Sequence, residues 1–338
     1  MTYLKQNLLQ EWASYLIGSE PYRYHCWHRS PEQWSAQGKV HHTFGLANFF
    51  GGLIFMITNA LILWAFHSHP LMKSSCYKIL CALGVISWFE IGTMSMFPAF
   101  VLFRGAVFCN YPVIGMVIGR TLTMEWIAGS TCCLFLALNR IADMTRNIYL
   151  LKLFHNPLKV ILIFLSIFLF SLTFALFTDP CLYNSNLRGF SILPYNEMDP
   201  ELFSLETVNI YNAFFMVTLA IITLIVLYKL CTENENCWRG TSDLQRKIMI
   251  QSGVVCLQYV IPCLMYLIIY LWSPMDPPQC FIEGTHILFQ LFACFSGTIC
   301  LVLNRPIRVK FLEKIGLHHY VIQPNRRATV LSITRSIM

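Results

Sequence analysis

The sequence predicts an all-α integral membrane protein, a bundle of seven transmembrane helices whose N-terminus lies outside the cell. Three observations predict it. Of the 338 residues, 56% are hydrophobic and only 12% are charged, whereas a soluble domain carries about 25% charged residues. Seven apolar runs reach the length of about 20 residues that a helix needs to cross a bilayer. Lysine and arginine are concentrated in alternate connecting segments.

The apolar runs, called spans 1 to 7 in chain order, divide the chain into three parts. Because backbone groups in hydrocarbon must bond within their own segment, each run is predicted to be a helix. We expect an extracellular N-terminal segment (1–44), a seven-helix domain (45–304) and a cytoplasmic tail (305–338). The spans are predicted at 45–66, 79–103, 113–138, 159–178, 206–230, 248–272 and 283–304.

The distribution of basic residues predicts the orientation of the bundle. Of 24 lysines and arginines, 17 lie in the tail and in the connections that share its side, 6 lie on the other side, and Arg120 lies within span 3. Cytoplasmic segments carry the excess of positive charge. The N-terminus is therefore expected outside and the C-terminus inside. The net charge of +7 follows from this asymmetry and gives no indication of nucleic-acid binding.

A short amphipathic helix is predicted directly after span 7. In the sequence NRPIRVKFLEKIG (304–316), Pro306 suits a first helical turn. Apolar and basic residues separate onto two faces, as in helices that lie on a membrane surface. The apolar face consists of Ile307, Phe311, Leu312 and Ile315.

Four of the 14 cysteines fall in segments expected outside, where disulfides persist. Four cysteines allow three pairings. We expect Cys109 to pair with Cys181, because that bond would tie the long outer loop to the top of span 3. Cys26 would then pair with Cys280 near span 7. The alternative is that one or more of them remains a free thiol.

Three charged side chains lie well inside predicted spans, away from the span ends, where charges usually face the bundle interior. Glu90 in span 2 and Arg120 in span 3 fall at similar depth, given a rise of about 1.5 Å per residue. We expect them to form an ion pair. Glu125 is five residues from Arg120 and faces elsewhere. Alternatively, Arg120 or Glu125 contacts a polar group of a ligand.

A ligand pocket is expected between the outer ends of the helices. In addition to Arg120 and Glu125, the candidate lining residues are Tyr266 in span 6 and three polar residues of span 7, Glu283, His286 and Gln290. Aromatic residues at this level also occur as an interfacial belt without any ligand. Pro262 is expected to kink span 6.

Chemistry other than binding finds little support in the sequence. No spacing of histidine, cysteine and carboxylate residues resembles a metal site, and no nucleophile–base set is evident. We therefore expect neither an enzyme nor a cofactor. A membrane transporter is the alternative function, although the odd number of spans and the lack of an internal repeat disfavour the common duplicated transporter architectures.

Several local motifs resemble one receptor family. The segments SSCYKILCALG (74–84), GAVFCNYP (105–112), CLFLALNRIADM (133–144) and RKIMIQSGVVC (246–256) are similar to those of the nematode serpentine chemoreceptors of class T, Srt. The resemblance covers roughly residues 22–316. It implies a fold like that of a G-protein-coupled receptor.

The resemblance also implies a role for the sequence Asn139-Arg140 at the end of span 3. In such receptors an arginine at this place faces the cytoplasmic cavity and contacts a heterotrimeric G protein; the alternative is an arginine that reaches lipid phosphate. The implied ligand is a small extracellular molecule, and the implied location is the plasma membrane of a sensory neuron, in its cilium. The chain departs from the family near Ser87, where the family tends to have an acidic residue; Glu90, one turn later, is the candidate substitute.

Overall fold

The computed structural model describes residues 24–67, 72, 74–145, 148–193, 195, 206–232, 243–272 and 278–317. Within these residues, seven helices are long and apolar enough to cross a membrane. Each predicted span is found as a helix, so the predicted fold class is confirmed. The spans extend over His42–Phe66, Ser75–Arg104, Pro112–Thr145, Pro157–Phe177, Glu206–Thr232, Asp243–Trp272 and Gln279–Leu303.

Span 3 lies at the centre of the bundle. It packs against spans 2, 4, 5 and 6, while span 7 packs against spans 1, 2 and 6. Small side chains permit the close approaches. A Cβ atom on Gly129 of span 3 would lie 2.3 Å from the hydroxyl oxygen of Tyr259 in span 6. Large apolar side chains on the side of span 4 that faces away from the bundle, such as Leu158 and Ile161, are exposed as expected for contact with lipid.

Span 2 contains one turn of π-helix that the sequence did not predict. The segment Gly92–Met96 interrupts the α-helix, and the backbone N–H of Phe97 donates to the carbonyl of Gly92, five residues earlier. Pro98 follows at once and has no N–H to donate. Such turns accommodate a proline while the remaining backbone bonds are kept. The turn changes which side chains face the bundle interior on either side of it.

The N-terminal segment folds over the outer end of span 3. A short helix, α1 (Pro31–Gln37), begins with a capping box between Ser30 and Gln33. Trp34 of α1 is only 1% exposed, and its indole N–H donates to the carbonyl of Cys26 at 2.9 Å. The expected pairing of the outer cysteines was wrong: Cys26 is bonded to Cys109, with 5.5 Å between the Cα atoms.

The other two outer cysteines are free thiols. Cys181 points into the bundle, where its side chain is hydrogen-bonded to Thr123 of span 3. Its backbone lies so close to span 3 that a Cβ atom on Gly119 would approach the Cys181 oxygen to 2.4 Å. Cys280 is exposed at the start of span 7. The physical reason for the changed pairing is that burial of Trp34 brings Cys26, and not Cys181, to the top of span 3.

The long outer loop forms an antiparallel hairpin across the bundle. Strands β1 (Leu182–Asn184) and β2 (Gly189–Ser191) pair with Tyr183 opposite Phe190. The hairpin is attached by hydrogen bonds to its neighbours. Ser185 N donates to the carbonyl of Ala106, and Gln279 Nε2 donates to the carbonyl of Asn186 at 2.8 Å.

Two short helices lie at the opposite end. Helix α2 (Ile148–His155) connects spans 3 and 4, and helix α3 (Arg305–Lys314) follows span 7 as predicted. Asn304 caps α3, because its side-chain oxygen accepts from the backbone of Ile307. Lys314 lies over the ring of Trp64 in span 1, 4.4 Å from the ring centre, so α3 is attached to the bundle.

Candidate functional site

A cavity lies between the outer halves of the spans, beneath the start of the hairpin. The space between its lining side chains that is not filled by protein atoms is about 450 Å³, including the part that is open to the surroundings. Spans 2, 3, 5, 6 and 7 and the outer loop all contribute to it. Its lining residues are Met94, Leu122, Thr123, Trp126, Cys181, Val208, Asn209, Asn212, Tyr266 and Phe289. We call this the outer cavity.

A layer of aromatic rings forms the floor of the outer cavity. The ring centres of Trp126 and Phe289 are 4.8 Å apart, and those of Trp126 and Tyr259 are 5.6 Å apart. The layer therefore connects span 3 with both span 6 and span 7. The Trp126 indole N–H donates to Asn212 Oδ1 of span 5 at 2.9 Å, which fixes the plane of the ring.

A second, smaller cavity lies below these rings, and Trp126 and Phe289 line it as well. We call it the inner cavity, and unlike the outer cavity it has a carboxyl group in its lining. Its lining includes Glu90 of span 2 and Tyr259 and Pro262 of span 6. A movement of the ring layer would therefore change the shape of both cavities and the packing around Pro262 of span 6.

The polar groups of the outer cavity are neutral. Burial raises the pKa of the Cys181 thiol to about 11, with a smaller opposing contribution from its hydrogen bond with Thr123. The thiol is therefore protonated at neutral pH. The amide nitrogen of Asn209 has no hydrogen-bond partner among the described residues, although Asn209 is only 6% exposed.

Of the six residues predicted to bind a ligand, Tyr266 alone lines the outer cavity. Arg120 lies on the side of span 3 that faces span 4. Its guanidinium donates to the carbonyls of Ala175, Leu176 and Thr178 at 2.7–3.2 Å, at the end of that span. Carbonyl groups at a helix end lack partners within the helix, so Arg120 completes the end of span 4.

The expected Glu90–Arg120 ion pair was therefore wrong. Glu90 is 3% exposed and lines the inner cavity. Glu125 also lies away from the outer cavity: its carboxyl oxygen Oε2 accepts from the hydroxyl of Thr93 in span 2 at 2.7 Å. Thr93 belongs to the π-helical turn, so this turn supplies the partner of Glu125.

Glu283 and His286 lie beneath the hairpin instead of in the cavity lining. Glu283 forms an ion pair with Arg188 of the hairpin at 2.8 Å. The ring of His286 packs against Tyr183 and Phe190, with centre distances of 5.3 and 5.5 Å. Burial, and then the nearby Glu283 carboxylate, raise the pKa of Tyr183. These contacts attach the hairpin to span 7.

Gln290 connects spans instead of lining the cavity. Its amide nitrogen donates to Asn48 Oδ1 of span 1 at 3.0 Å and to Ser95 Oγ of span 2 at 2.7 Å. All three residues lie within the bundle at the level of the π-helical turn. Gln290 thus serves to attach span 7 to spans 1 and 2.

The cavity residues that the sequence analysis missed are neutral. Trp126 and Phe289 stand within long apolar runs and are not distinguished there. A usable signal existed for Asn209 and Asn212, because two amides three residues apart share one face of a helix. Buried amides in a span generally mark contacts with other polar groups.

At the inner end of span 3, Asn139 and Arg140 are held by neighbouring side chains. Asn139 is fully buried and donates to Ser75 Oγ at the start of span 2, at 2.9 Å. Arg140 donates to the oxygen of Asn139 and forms an ion pair with Asp143 at 2.9 Å. The carboxylate that holds this arginine thus lies one turn after it.

Asn304 connects three elements at the same end of the bundle. It accepts from the hydroxyl of Tyr77 in span 2 at 3.2 Å and donates to Gln251 Oε1 in span 6 at 2.8 Å. Spans 3 and 6 also meet there, because the thiol of Cys256 lies 3.7 Å from the carbonyl of Cys133. These contacts keep the inner end of span 6 against spans 3 and 7.

Metal binding finds no support in the described part of the chain, where no three histidine, cysteine or acidic residues are grouped to hold an ion. No residue set around the outer cavity resembles a cofactor site. The arrangement is suited to binding a small molecule and to changing shape.

Comparison with known proteins agrees with the geometry. Residues 12–323 match the family model described as serpentine type seven-transmembrane G-protein-coupled chemoreceptor Srt. Serpentine receptor class T-55 of Caenorhabditis elegans is 26% identical over 312 residues, covering 90% of this chain and 84% of that protein.

Among solved structures, squid rhodopsin superposes with a TM-score of 0.64. The sequence identity is 13%, and the match covers 88% of this chain and 92% of the rhodopsin chain. This likeness shows the fold. Because the family model covers most of the chain, the chain belongs to the serpentine class T family, Srt, and is a multi-pass membrane protein with the seven-helix fold of a G-protein-coupled receptor.

Proposed function

We propose that this chain is a chemosensory receptor in which an extracellular ligand, bound in the outer cavity, promotes coupling to a heterotrimeric G protein. The observation that carries this proposal is the ring layer of Trp126, Phe289 and Tyr259, in which Trp126 and Phe289 line both the outer cavity and the inner cavity. A ligand on the floor of the outer cavity contacts the same rings that pack against span 6.

The mechanism requires two conformations of the bundle. A ligand shifts such an equilibrium only by its difference in affinity for the two states. The contacts of Asn304 with Gln251, and of Cys256 with Cys133, describe the state in which the inner end of span 6 is closed. A ligand that favours a different arrangement of the ring layer favours release of these contacts, with Pro262 as the point at which span 6 bends.

Arg140 is the residue that we assign to the G protein, with Asn139 positioning it. Arg140 is held by Asp143 and Asn139 at the inner end of span 3, beside the contacts that close span 6. When span 6 moves away, the guanidinium becomes accessible to backbone carbonyls of a partner. The family resemblance supports this role.

The proposed location is the plasma membrane of a sensory neuron, in its cilium, with the N-terminus outside. The description of the matched family as chemoreceptors supports a sensory role. The excess of lysine and arginine on the tail side supports the orientation. Membership of a receptor family also supports a non-enzymatic function.

Guanine-nucleotide exchange on purified G proteins tests the proposal. The native chain, Arg140→Gln and Arg104→Gln are placed in lipid nanodiscs and tested with a chemical library. Arg104 lies exposed at the outer end of span 2 and controls for loss of one positive charge. We expect a ligand to accelerate exchange through the native chain and Arg104→Gln, and not through Arg140→Gln.

Two results would contradict the proposal. One is that Arg140→Gln supports the same ligand-dependent exchange as the native chain. The other is that a ligand crosses the membrane of sealed vesicles containing the chain while no G protein responds, which would favour the transporter.

A further inference from the structure

The walls of the outer cavity carry no charged side chain among the described residues. Apolar, aromatic and neutral polar side chains form its lining. The nearby charges are engaged elsewhere, Arg120 by carbonyls of span 4 and Glu125 by Thr93. A charged ligand would lose its hydration here without gaining a counter-charge, which disfavours its binding.

Most polar groups on the cavity wall already have partners. Asn212 Oδ1 accepts from the indole of Trp126 and from the thiol of Cys263. The hydroxyl of Thr123 donates to the carbonyl of Gly119 at 3.1 Å. The thiol of Cys181 is hydrogen-bonded to Thr123, and its raised pKa keeps it neutral.

The buried amide nitrogen of Asn209 differs from these groups. The Asn209 side chain is 94% buried, it lines the cavity, and its Nδ2 has no hydrogen-bond partner among the described residues. A buried donor without a partner is destabilising. Because Nδ2 has almost no accessible surface, a ligand oxygen reaches it after a small displacement of the Asn209 side chain, and the hydrogen bond that then forms removes this penalty.

We propose that the outer cavity binds a small, uncharged, mostly apolar molecule with a carbonyl-type oxygen, such as a ketone, aldehyde or ester, and that Asn209 Nδ2 donates to that oxygen. The aromatic rings of Trp126, Tyr266 and Phe289 contact the apolar body of the molecule. The assignment rests on the proposed function in taking the occupant of this cavity to be the receptor ligand.

Binding to the purified chain in nanodiscs, without G protein, tests the inference. The probes are acetophenone and its hydrocarbon isostere isopropenylbenzene, in which a methylene group replaces the carbonyl oxygen. Benzylammonium and benzoate are the charged probes. Affinities are measured by saturation-transfer NMR on the native chain, on Asn209→Leu and Asn209→Ala, and on Thr218→Val. Thr218 is on the same span, and its hydroxyl bonds only to Phe214 of its own helix.

We expect acetophenone to bind the native chain and both charged probes to bind at least tenfold more weakly. Loss of the Asn209 donor should weaken acetophenone binding about three- to tenfold, the value of one hydrogen bond. Binding of isopropenylbenzene should be unchanged or tighter. Thr218→Val should change neither affinity. Thermal unfolding of each variant establishes that it is folded.

Three results would overturn the inference: no binding of acetophenone to the native chain, tighter binding of a charged probe, or an equal effect of the Asn209 variants on both neutral probes. The comparison between acetophenone and the charged probes uses the native chain alone. It therefore still tests whether the cavity prefers uncharged ligands if both Asn209 variants fail to fold. If acetophenone binds as expected but never alters nucleotide exchange, the receptor function fails while the ligand class stands. If only charged ligands stimulate nucleotide exchange, the receptor function stands while the proposed ligand class fails.

Discussion

The ring of Trp126 in span 3 packs against the ring of Phe289 in span 7 with 4.8 Å between their centres, and both rings line two cavities at once. The two rings therefore form a direct physical connection between the outer cavity and the inner cavity.

Replacement of Phe289 tests this connection. Phe289→Ala removes the ring that separates the cavities, so we expect ligand-dependent nucleotide exchange to fall at least tenfold at saturating ligand. Phe295→Ala is the control, because that ring faces outward on the same span and contacts Phe55. Equal losses in the two variants would show that the effect is one of general stability.

The disulfide gives a prediction about the outer end of the bundle. Cys26→Ser or Cys109→Ser should lower the free energy of unfolding by about 2–4 kcal/mol, because the bond closes a long loop. Cys181→Ser and Cys280→Ser should have little effect on thermal unfolding through a disulfide, since both are free thiols. Peptide mapping without reduction should recover Cys26 linked to Cys109. A peptide linking Cys109 to Cys181 would contradict the structure.

The ion pair between Arg188 and Glu283 should keep the hairpin closed over the bundle. The side chains are 29% and 15% exposed, so the pair is partly shielded from water. Glu283→Gln should weaken hairpin attachment by about 1 kcal/mol and accelerate amide hydrogen exchange over 182–191. The double variant Arg188→Glu with Glu283→Arg should restore slow exchange. If the double variant exchanged as fast as Glu283→Gln, the effect would have to come from something other than the ion pair.

At the inner end of span 3, Asp143 should restrain Arg140. Asp143→Asn removes the carboxylate from an arginine side chain that is only 11% exposed, so we expect nucleotide exchange without ligand to rise about two- to fivefold, for a shift near 1 kcal/mol. Glu313→Gln is a matched control, because it breaks the Lys310–Glu313 pair of the same i,i+3 spacing in α3. An equal rise in the control, or none in Asp143→Asn, would contradict the role of this pair.

The elements that could be predicted from the sequence are those that the bilayer itself determines. A span needs length and apolar composition, and both can be read without knowledge of its neighbours. The same holds for the helix after span 7, where the capping residue Asn304 and the proline after it are local signals. The seven spans and α3 were therefore confirmed.

The site was harder to predict because we took the charged residues within the spans as candidates for contact with a ligand. In this bundle Arg120 completes the end of span 4, and Glu283 holds the hairpin. The outer cavity is lined instead by neutral residues such as Trp126 and Phe289, which no local pattern separates from ordinary helix contacts. The disulfide depends on the fold of the N-terminal segment over Trp34, a long-range contact that spacing does not encode.

Both the proposed ligand site and the proposed G-protein contact depend on which end of the bundle faces the outside of the cell. Antibody labelling of tags placed at the two termini measures this directly in cells that express the chain. The account predicts that the N-terminal tag is labelled on intact cells and the C-terminal tag only after permeabilisation. Labelling of the C-terminal tag on intact cells, or of both tags on the same side, would contradict it.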